Sequence, residues 1–194
     1  MVLISVRYLK EVNFKTLAFK LPPNAPQLYQ DDGSLTWDTW AAAGLSHPLE
    51  GVFNASTIKT QNLITNLNLR YLLLEGLEVK ANLGYTHFNG EELIKMPKRS
   101  YNPAGMPRHS SISGDRARTS WIIEPQVHYT RQWDQLQLEA FIGSTLQENN
   151  SSQFNVKGEN YVAESLIGNL GAAESLINAN AQHTDYRYQA LFSK

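Results

Sequence analysis

The sequence predicts an all-β protein built from antiparallel β-hairpins that form part of a transmembrane β-barrel. Two pairs of long segments alternate between apolar and polar residues, with only a short turn inside each pair. Aromatic residues lie near the ends of the apolar stripes, as in the girdles of outer-membrane barrels. Short turns alternate strictly with connections of about 30 to 40 residues, as periplasmic turns alternate with extracellular loops.

The first predicted hairpin joins strands 62–73 and 77–88. One face of both strands carries mainly leucine and tyrosine, while the other carries mainly asparagine and charged residues. Residues 74–76 predict a three-residue turn whose final glycine adopts the left-handed backbone conformation. This turn pairs Leu73 with Leu77 and collects the apolar side chains on one side, so the register agrees with the hydrophobic pattern.

The second predicted hairpin joins strands 119–131 and 136–147 through a four-residue turn, 132–135. Tryptophan, isoleucine, valine and tyrosine lie on one side of its first strand, and polar residues lie on the other. The turn pairs Arg131 with Leu136. The predicted strands are close to the length of about 9 to 11 residues that crosses a bilayer at a tilt.

The two chain ends predict further strands, at 2–8 and 185–192, which makes about six strands in all. Both segments alternate between faces up to the end of the chain, whereas natural domain ends are more often polar and loose. We therefore expect the chain to be a fragment of a larger protein.

Three long connections, 22–61, 89–119 and 148–185, separate the predicted strands. They are rich in proline, glycine, asparagine and serine, and they far exceed the usual connection of about five residues. Within the last of them, the spacing of apolar residues over 161–170 predicts a short helix that ends before Gly171.

Composition narrows the class of function. The chain of 194 residues has 17 Lys and Arg against 18 Asp and Glu, so it lacks the basic excess with which nucleic-acid binders meet phosphates. It has no cysteine, which excludes disulfides, cysteine-ligated metals and thiol catalysis. The five histidines have no metal-binding spacing, and no phosphate loop or dinucleotide fingerprint is present, so we expect no metal and no cofactor.

Charged or titratable side chains fall on the polar face of the two hairpins, which would be the lumen side of a barrel. Arg70 faces Lys80 across the strands of the first hairpin, an unfavourable pair unless Glu78 on the diagonal compensates their repulsion. Glu124 and Glu139 could form a glycosidase pair, but the predicted register sets Glu139 opposite His128 and Glu124 opposite Gly143, so the carboxylates are offset. We expect solvated charges and no enzymatic activity. The lumen-facing candidates are Arg70, Lys80, Glu124, His128 and Glu139.

A soluble carbohydrate-binding β-sandwich is the alternative architecture. It would bury the apolar face against a second sheet, with turn signals about every 8 to 12 residues. The mean hydropathy of -0.38 and the aromatic residues of the connections are compatible with it. The long strands and the alternation of short and long connections favour the membrane barrel.

Nine short segments, in the same order, resemble the SusC/RagA family of TonB-linked outer-membrane receptors of the Bacteroidetes. The resemblance covers nearly the whole chain. It departs from the family at 47–49, where His-Pro-Leu replaces the more frequent Asn-Pro-Leu, and in a shorter loop between Tyr8 and Leu21. The segments are 21–29 (LPPNAPQLY), 32–37 (DGSLTW), 60–64 (TQNLI), 83–85 (LGY), 100–103 (SYNP), 120–126 (SWIIEPQ), 143–145 (GST), 167–173 (IGNLGAA) and 186–192 (YRYQALF).

Members of this family have an N-terminal extension, a plug domain and a barrel of about 22 strands. The resemblance implies that residues 1–194 are part of the middle of such a barrel, with the plug and the C-terminal strand outside the chain. It implies import of glycan oligosaccharides or peptides across the outer membrane, under a SusD-like surface lipoprotein as a lid. Energy would come from the TonB–ExbB–ExbD complex acting on the plug, and outer-membrane lipid would surround the barrel.

Three aromatic residues of the long connections, Trp37, Trp40 and Tyr101, are candidates for contact with a substrate or with the lid partner. Their rings could stack on sugar faces. The alternative, that they pack the loops together, is the more common role of such residues.

Overall fold

A computed structural model describes residues 2–9, 19, 21–134 and 136–194. The described residues form one antiparallel sheet in which each strand pairs with its neighbours in sequence, in the order β1-β2-β3-β4-β5-β6. The sheet is open, which confirms the predicted all-β class and the hairpin arrangement of a barrel segment. In chain order the strands are β1 (Val2–Leu9), β2 (Ala55–Leu74), β3 (Leu77–Met96), β4 (His109–Trp133), β5 (Leu136–Tyr161) and β6 (Ser175–Ser193).

The four central strands are much longer than the sequence pattern indicates, at 20 to 26 residues each. The strands of the two predicted hairpins lie within them. The predicted connections 89–119 and 148–185 prove to be largely strand, whereas 22–61 adds only its last part, from Ala55, to β2. The reason is that apolar and polar residues alternate only where one face is apolar. In the added portions both faces carry mostly Ser, Thr, Asn and charged residues, so the periodicity disappears while the pairing continues.

The turn between β2 and β3 confirms the predicted left-handed glycine, because Gly76 has a φ of 81°. The turn itself is shorter than predicted, since Leu74 pairs with Leu77 and a bulge lies between Leu72 and Leu74. The predicted pairing of Leu73 with Leu77 is therefore wrong. Beyond the bulge the predicted register holds along both strands.

The turn between β4 and β5 is also tighter than predicted, because Trp133 pairs with Leu136 and Arg131 pairs with Leu138. Asp134 has a φ of 44°, the left-handed conformation that two-residue hairpin turns require. The register thus differs from the predicted one by two residues. Since side chains alternate with a period of two, every residue keeps its predicted face while its partner changes.

Helical structure occurs in different places from the predicted ones. The helix expected over 161–170 is wrong: β5 extends to Tyr161, and two 3-10 turns follow, Glu164–Leu166 and Leu170–Ala172. Gly168, with a φ of 100°, separates the two turns and prevents a continuous helix. Helix α1 (Trp37–Ala42) lies in the connection before β2.

No helix within the described ranges is both long enough and apolar enough to span a membrane.

The buried side chains lie in the connections and the adjoining strand ends, away from the two short turns. They include Trp40 and Leu49 of the first connection and Ile167 of the last one. In contrast, the leucines and tyrosines of the hairpins remain open, with Leu67 52% exposed and Tyr71 68% exposed. No second sheet covers them in the part of the chain that the structure describes, so these residues do not form the alternative sandwich.

Candidate functional site on the polar face of the sheet

The register assigns every paired residue to one of two faces of the sheet. On the first, the apolar face, aromatic residues enclose a band of aliphatic side chains. Tyr85 pairs with Trp121 at one end, and Tyr71 and Tyr129 lie near the other end. Trp121 and Tyr129 are about 27 Å apart along β4, or about 20 Å in height at a barrel strand's tilt. This is close to the apolar band of about 25 Å in outer-membrane barrels. The aliphatic residues of the band include Leu67, Leu69, Val79, Ala81, Leu83, Ile123 and Val127.

The opposite, polar face carries an open groove of about 750 Å³, hereafter the polar groove. It is lined by amide and hydroxyl side chains from β2 to β6. It begins at Thr86 and Ser120, one residue beyond the aromatic pair of the apolar face, and extends away from the short turns. The groove therefore lies beyond one aromatic end of the apolar band, on the other side of the sheet.

Two arginines on β4 lie in the polar groove. Arg116 and Arg118 are two residues apart and therefore project from the same face, about 7 Å apart along the strand. The Nε of Arg118 donates to Oδ1 of Asn149 on β5 at 3.1 Å. Arg116 pairs in register with Gly90, and the ring of Phe88 lies over that glycine, 3.2 Å from where a Cβ would be.

The sequence prediction missed both arginines because they lie in a strand portion assigned to a loop. The signal that could have found them is the polar–small–polar order of Arg116, Ala117 and Arg118, which is strand alternation without an apolar face.

Arg70 and Lys80 pair directly across β2 and β3, as predicted, and Glu78 joins both of them. One carboxylate oxygen of Glu78 lies 3.0 Å from Nζ of Lys80, and the other contacts Nε of Arg70. The diagonal contact that can compensate the opposed cations is therefore present. These two candidates thus share one carboxylate within the sheet, near the short turns and away from the polar groove.

The structure separates the two carboxylates that could have formed a glycosidase pair. Glu139 pairs with Thr130 rather than with His128, and Gln126 takes the predicted place of Glu124 opposite Gly143. Because Glu139 lies opposite Thr130, its distance from Glu124 along the sheet equals the six residues from Glu124 to Thr130. The two glutamates are therefore about 20 Å apart along the strands. A glycosidase pair requires a separation of about 5 to 9.5 Å.

The remaining polar-face candidates make local contacts. Oε1 of Glu124 accepts a hydrogen bond from Thr145 at 3.4 Å. His128 lies within 3.0 Å of Oε1 of Gln126, and its ring stacks on Phe141 with centroids 5.3 Å apart. Within the described ranges, no three histidine, aspartate or glutamate side chains come together as a metal site would require.

The loop aromatics are held by the first connection. Trp40 is 1% exposed and donates from Nε1 to the carbonyl of Gln27 at 2.9 Å, so its ring is unavailable to a substrate. Tyr101 accepts from Nδ2 of Asn54 at 2.7 Å, and Trp37 lies against His47 with ring centroids 4.8 Å apart. A contact role for Trp37 and Tyr101 stays a prediction.

The connections dock on one another beside the strand ends. Arg99 forms a bidentate pair with Glu164 of the last connection, and its guanidinium lies 4.2 Å from the ring centroid of Phe53. The amide of Gly51 donates to the carbonyl of Ser100 at 2.7 Å. These contacts join all three connections into one unit at the end of the sheet opposite the short turns. The shorter loop predicted between Tyr8 and Leu21 falls mostly outside the described residues.

No protein-family model and no curated protein matches the chain. Solved structures of the RagAB peptide importer do match it, in the "closed-closed" and the "open-open" state, each with a TM-score of 0.68 at 18% identity. A further structure of the RagAB peptide transporter matches with a TM-score of 0.61 at 18% identity. The matches cover 77%, 77% and 73% of this chain but only 17%, 17% and 16% of those chains. The chain thus has the fold of a segment, about one sixth in length, of a β-barrel transporter.

Proposed function

We propose that the chain is a wall segment of a TonB-dependent importer in the outer membrane. The observation that carries the proposal is the opposite character of the two faces of one open sheet. An aliphatic band enclosed by aromatic residues faces one side, as lipid requires, and a polar groove faces the other, as a wet lumen requires. In the proposed barrel, β1 and β6 pair with further strands, which removes the exposed edges.

The similarity to the RagAB peptide importer supports this proposal at the level of fold. We further propose a peptide or oligosaccharide as cargo and a SusD-like lipoprotein as lid. The docked connections at the end opposite the short turns are the natural place for that lid. The TonB–ExbB–ExbD complex would act through the plug of the complete importer.

Uptake by whole cells tests the proposal. Cells with the complete gene, cells with the gene deleted and cells with the gene restored are given a tetrapeptide or a tetrasaccharide, each carrying a neutral fluorophore. We expect internalised fluorescence to fall on deletion, to return on restoration, and to fall again when an uncoupler collapses the inner-membrane proton gradient.

Two results would contradict the proposal. One is uptake of both probes that does not change on deletion or with the uncoupler. The other is recovery of the protein in the soluble fraction after cell breakage, since a chain with an uncovered aliphatic band belongs in the membrane pellet.

A further inference from the structure

We propose that the polar groove recognises a carboxylate on the imported molecule through Arg116 and Arg118. The proposal rests on the proposed function and adds the chemical class of the cargo. The shared chemistry is a carboxylate, whether it belongs to the C-terminus or an acidic side chain of a peptide or to a uronic acid of a glycan.

The charge of the groove is the first argument. The two arginines are its only charged lining residues within the described part of the chain, and the other polar side chains are amides and hydroxyls. The nearest acidic residue on the same face, Glu92, pairs in register with Gly114 and lines a neighbouring groove of about 180 Å³, which Arg116 and Phe88 also line. It forms no ion pair with Arg116, so the polar groove keeps two positive charges.

The second argument is that the groove arginines lack the acidic partner that several other basic residues of the sheet have. Three other basic residues of the sheet have a close acidic partner, Lys80 with Glu78 at 3.0 Å, Lys157 with Glu159 at 2.6 Å and Arg187 with Glu148 at 3.5 Å. Lys95 and Arg131 have none within the described ranges, and Arg131 lies over the ring of Trp133. Neither groove arginine has such a partner among the described residues. A pair of uncompensated guanidiniums beside neutral donors is suited to an anion from outside the wall.

The geometry of Arg118 is the third argument. Its Nε is already engaged by Asn149, which orients the guanidinium and leaves the two terminal nitrogens free. Those nitrogens can donate to both oxygens of a carboxylate in the bidentate arrangement that arginine prefers. Arg116 lies about 7 Å further along the same strand beside Gly90, so both guanidiniums can reach one carboxylate.

Binding of matched probes to the complete protein, purified from outer membranes in detergent, tests the proposal. One pair of probes is a tetrapeptide with a free C-terminal carboxylate and the same tetrapeptide amidated. The other pair is a glucuronate-containing disaccharide and its glucose counterpart. Each probe carries a neutral fluorophore, and fluorescence anisotropy gives its Kd.

We expect the carboxylate member of at least one pair to bind about tenfold more tightly than its neutral counterpart. The double variant Arg116→Gln/Arg118→Gln should lose this preference, while the affinity for the neutral member stays unchanged. The control Arg108→Gln also removes one arginine, from an exposed pair with Glu174 at 3.7 Å, and should keep the preference. Preference within the peptide pair assigns the carboxylate to peptides, and preference within the sugar pair assigns it to acidic glycans.

The proposal is overturned if neither pair shows a preference, or if the double variant keeps it. Failure of the proposed function is a separate result, because it is measured as energised uptake of neutral probes by cells. Energised uptake without a preference for carboxylate would refute only the carboxylate site.

Discussion

At the scale of single residues, His47 connects three parts of the first connection. Its Nε2 lies 3.1 Å from the carbonyl of Leu28, and its Nδ1 accepts from the backbone amide of Leu49 at 3.1 Å. The ring is 4% exposed and lies between the indoles of Trp37 and Trp40. Because Nδ1 accepts a hydrogen bond, the folded loop requires the neutral ring, with its proton on Nε2.

Burial lowers the pKa of His47 from its ordinary value of 6.5, against smaller opposing effects of the Leu28 carbonyl and of Glu50. The unfolded loop therefore binds more protons than the folded loop once the pH falls to about 6.5 and below. The stability of the loop is complete above that pH and is lost progressively as the pH decreases.

We expect limited proteolysis of the first connection to be several times faster at pH 5 than at pH 7.5. His47→Gln can donate to Leu28 and accept from Leu49 without titrating, so its cleavage rate should change much less with pH. His109, whose Nδ1 accepts from the amide of Lys98 at 3.2 Å and whose pKa burial also lowers, remains in both proteins and serves as the internal control. Equal pH dependence in the two proteins would contradict the role of His47.

At the scale of elements, the turn between β2 and β3 depends on a glycine for two reasons. Gly76 has a φ of 81°, and a Cβ at this position would collide with the carbonyl oxygen of Thr130 on β4. Its own carbonyl accepts from the amide of Thr130 at 2.8 Å, so the turn is held against the next hairpin. The turn thus links the two hairpins in addition to reversing the chain.

Gly76→Ala should lower the thermal unfolding temperature of the detergent-solubilised protein, with a loss of about 2 to 4 kcal/mol in stability. Gly33→Ala is the matched control, because Gly33 has the same φ of 81° but nothing within 4 Å of a built Cβ. It should cost only the backbone strain, about 1 kcal/mol. Equal losses in the two variants would show that the contact with Thr130 contributes nothing.

The elements also show what local patterns can predict. The hydrophobic pattern predicts the hairpins where one face is apolar, and it gives the correct face for their residues even where the register differs by two residues. The length of the strands was underestimated because β4 and β5 continue into portions with two polar faces. There the pairing of each strand with its neighbours, rather than any local periodicity, maintains the extended backbone.

At the scale of the whole molecule, the two faces of the sheet predict different chemical surroundings for adjacent residues. Leu67 and Asn68 are neighbours on β2 and project to opposite sides of the sheet. Leu67 lies in the apolar band, and Asn68 lies on the polar face. The chain has no cysteine, so single cysteines can report on each side.

In intact outer membranes, with any other cysteines of the protein removed, we expect a water-soluble maleimide to label Asn68→Cys at least tenfold faster than Leu67→Cys. Lys59→Cys is the matched control, because it shares the face of Leu67 but lies about 27 Å further along the strand, beyond the aromatic pair. It should be labelled as readily as Asn68→Cys. Equal labelling at 67 and 68 would contradict the assignment of lipid to the apolar face.

The amino-acid pattern alone predicts the all-β class, the two hairpins, the two faces of their strands and the left-handed glycine of the first turn. These features follow from residues that are close in sequence, because side chains alternate with a period of two and Gly76 has no Cβ to restrict its backbone. Only the tertiary structure shows the length of the strands, the docking of the connections and the position of the polar groove. Each of these depends on contacts between distant segments, such as Arg118 with Asn149 or Arg99 with Glu164, which no local pattern records.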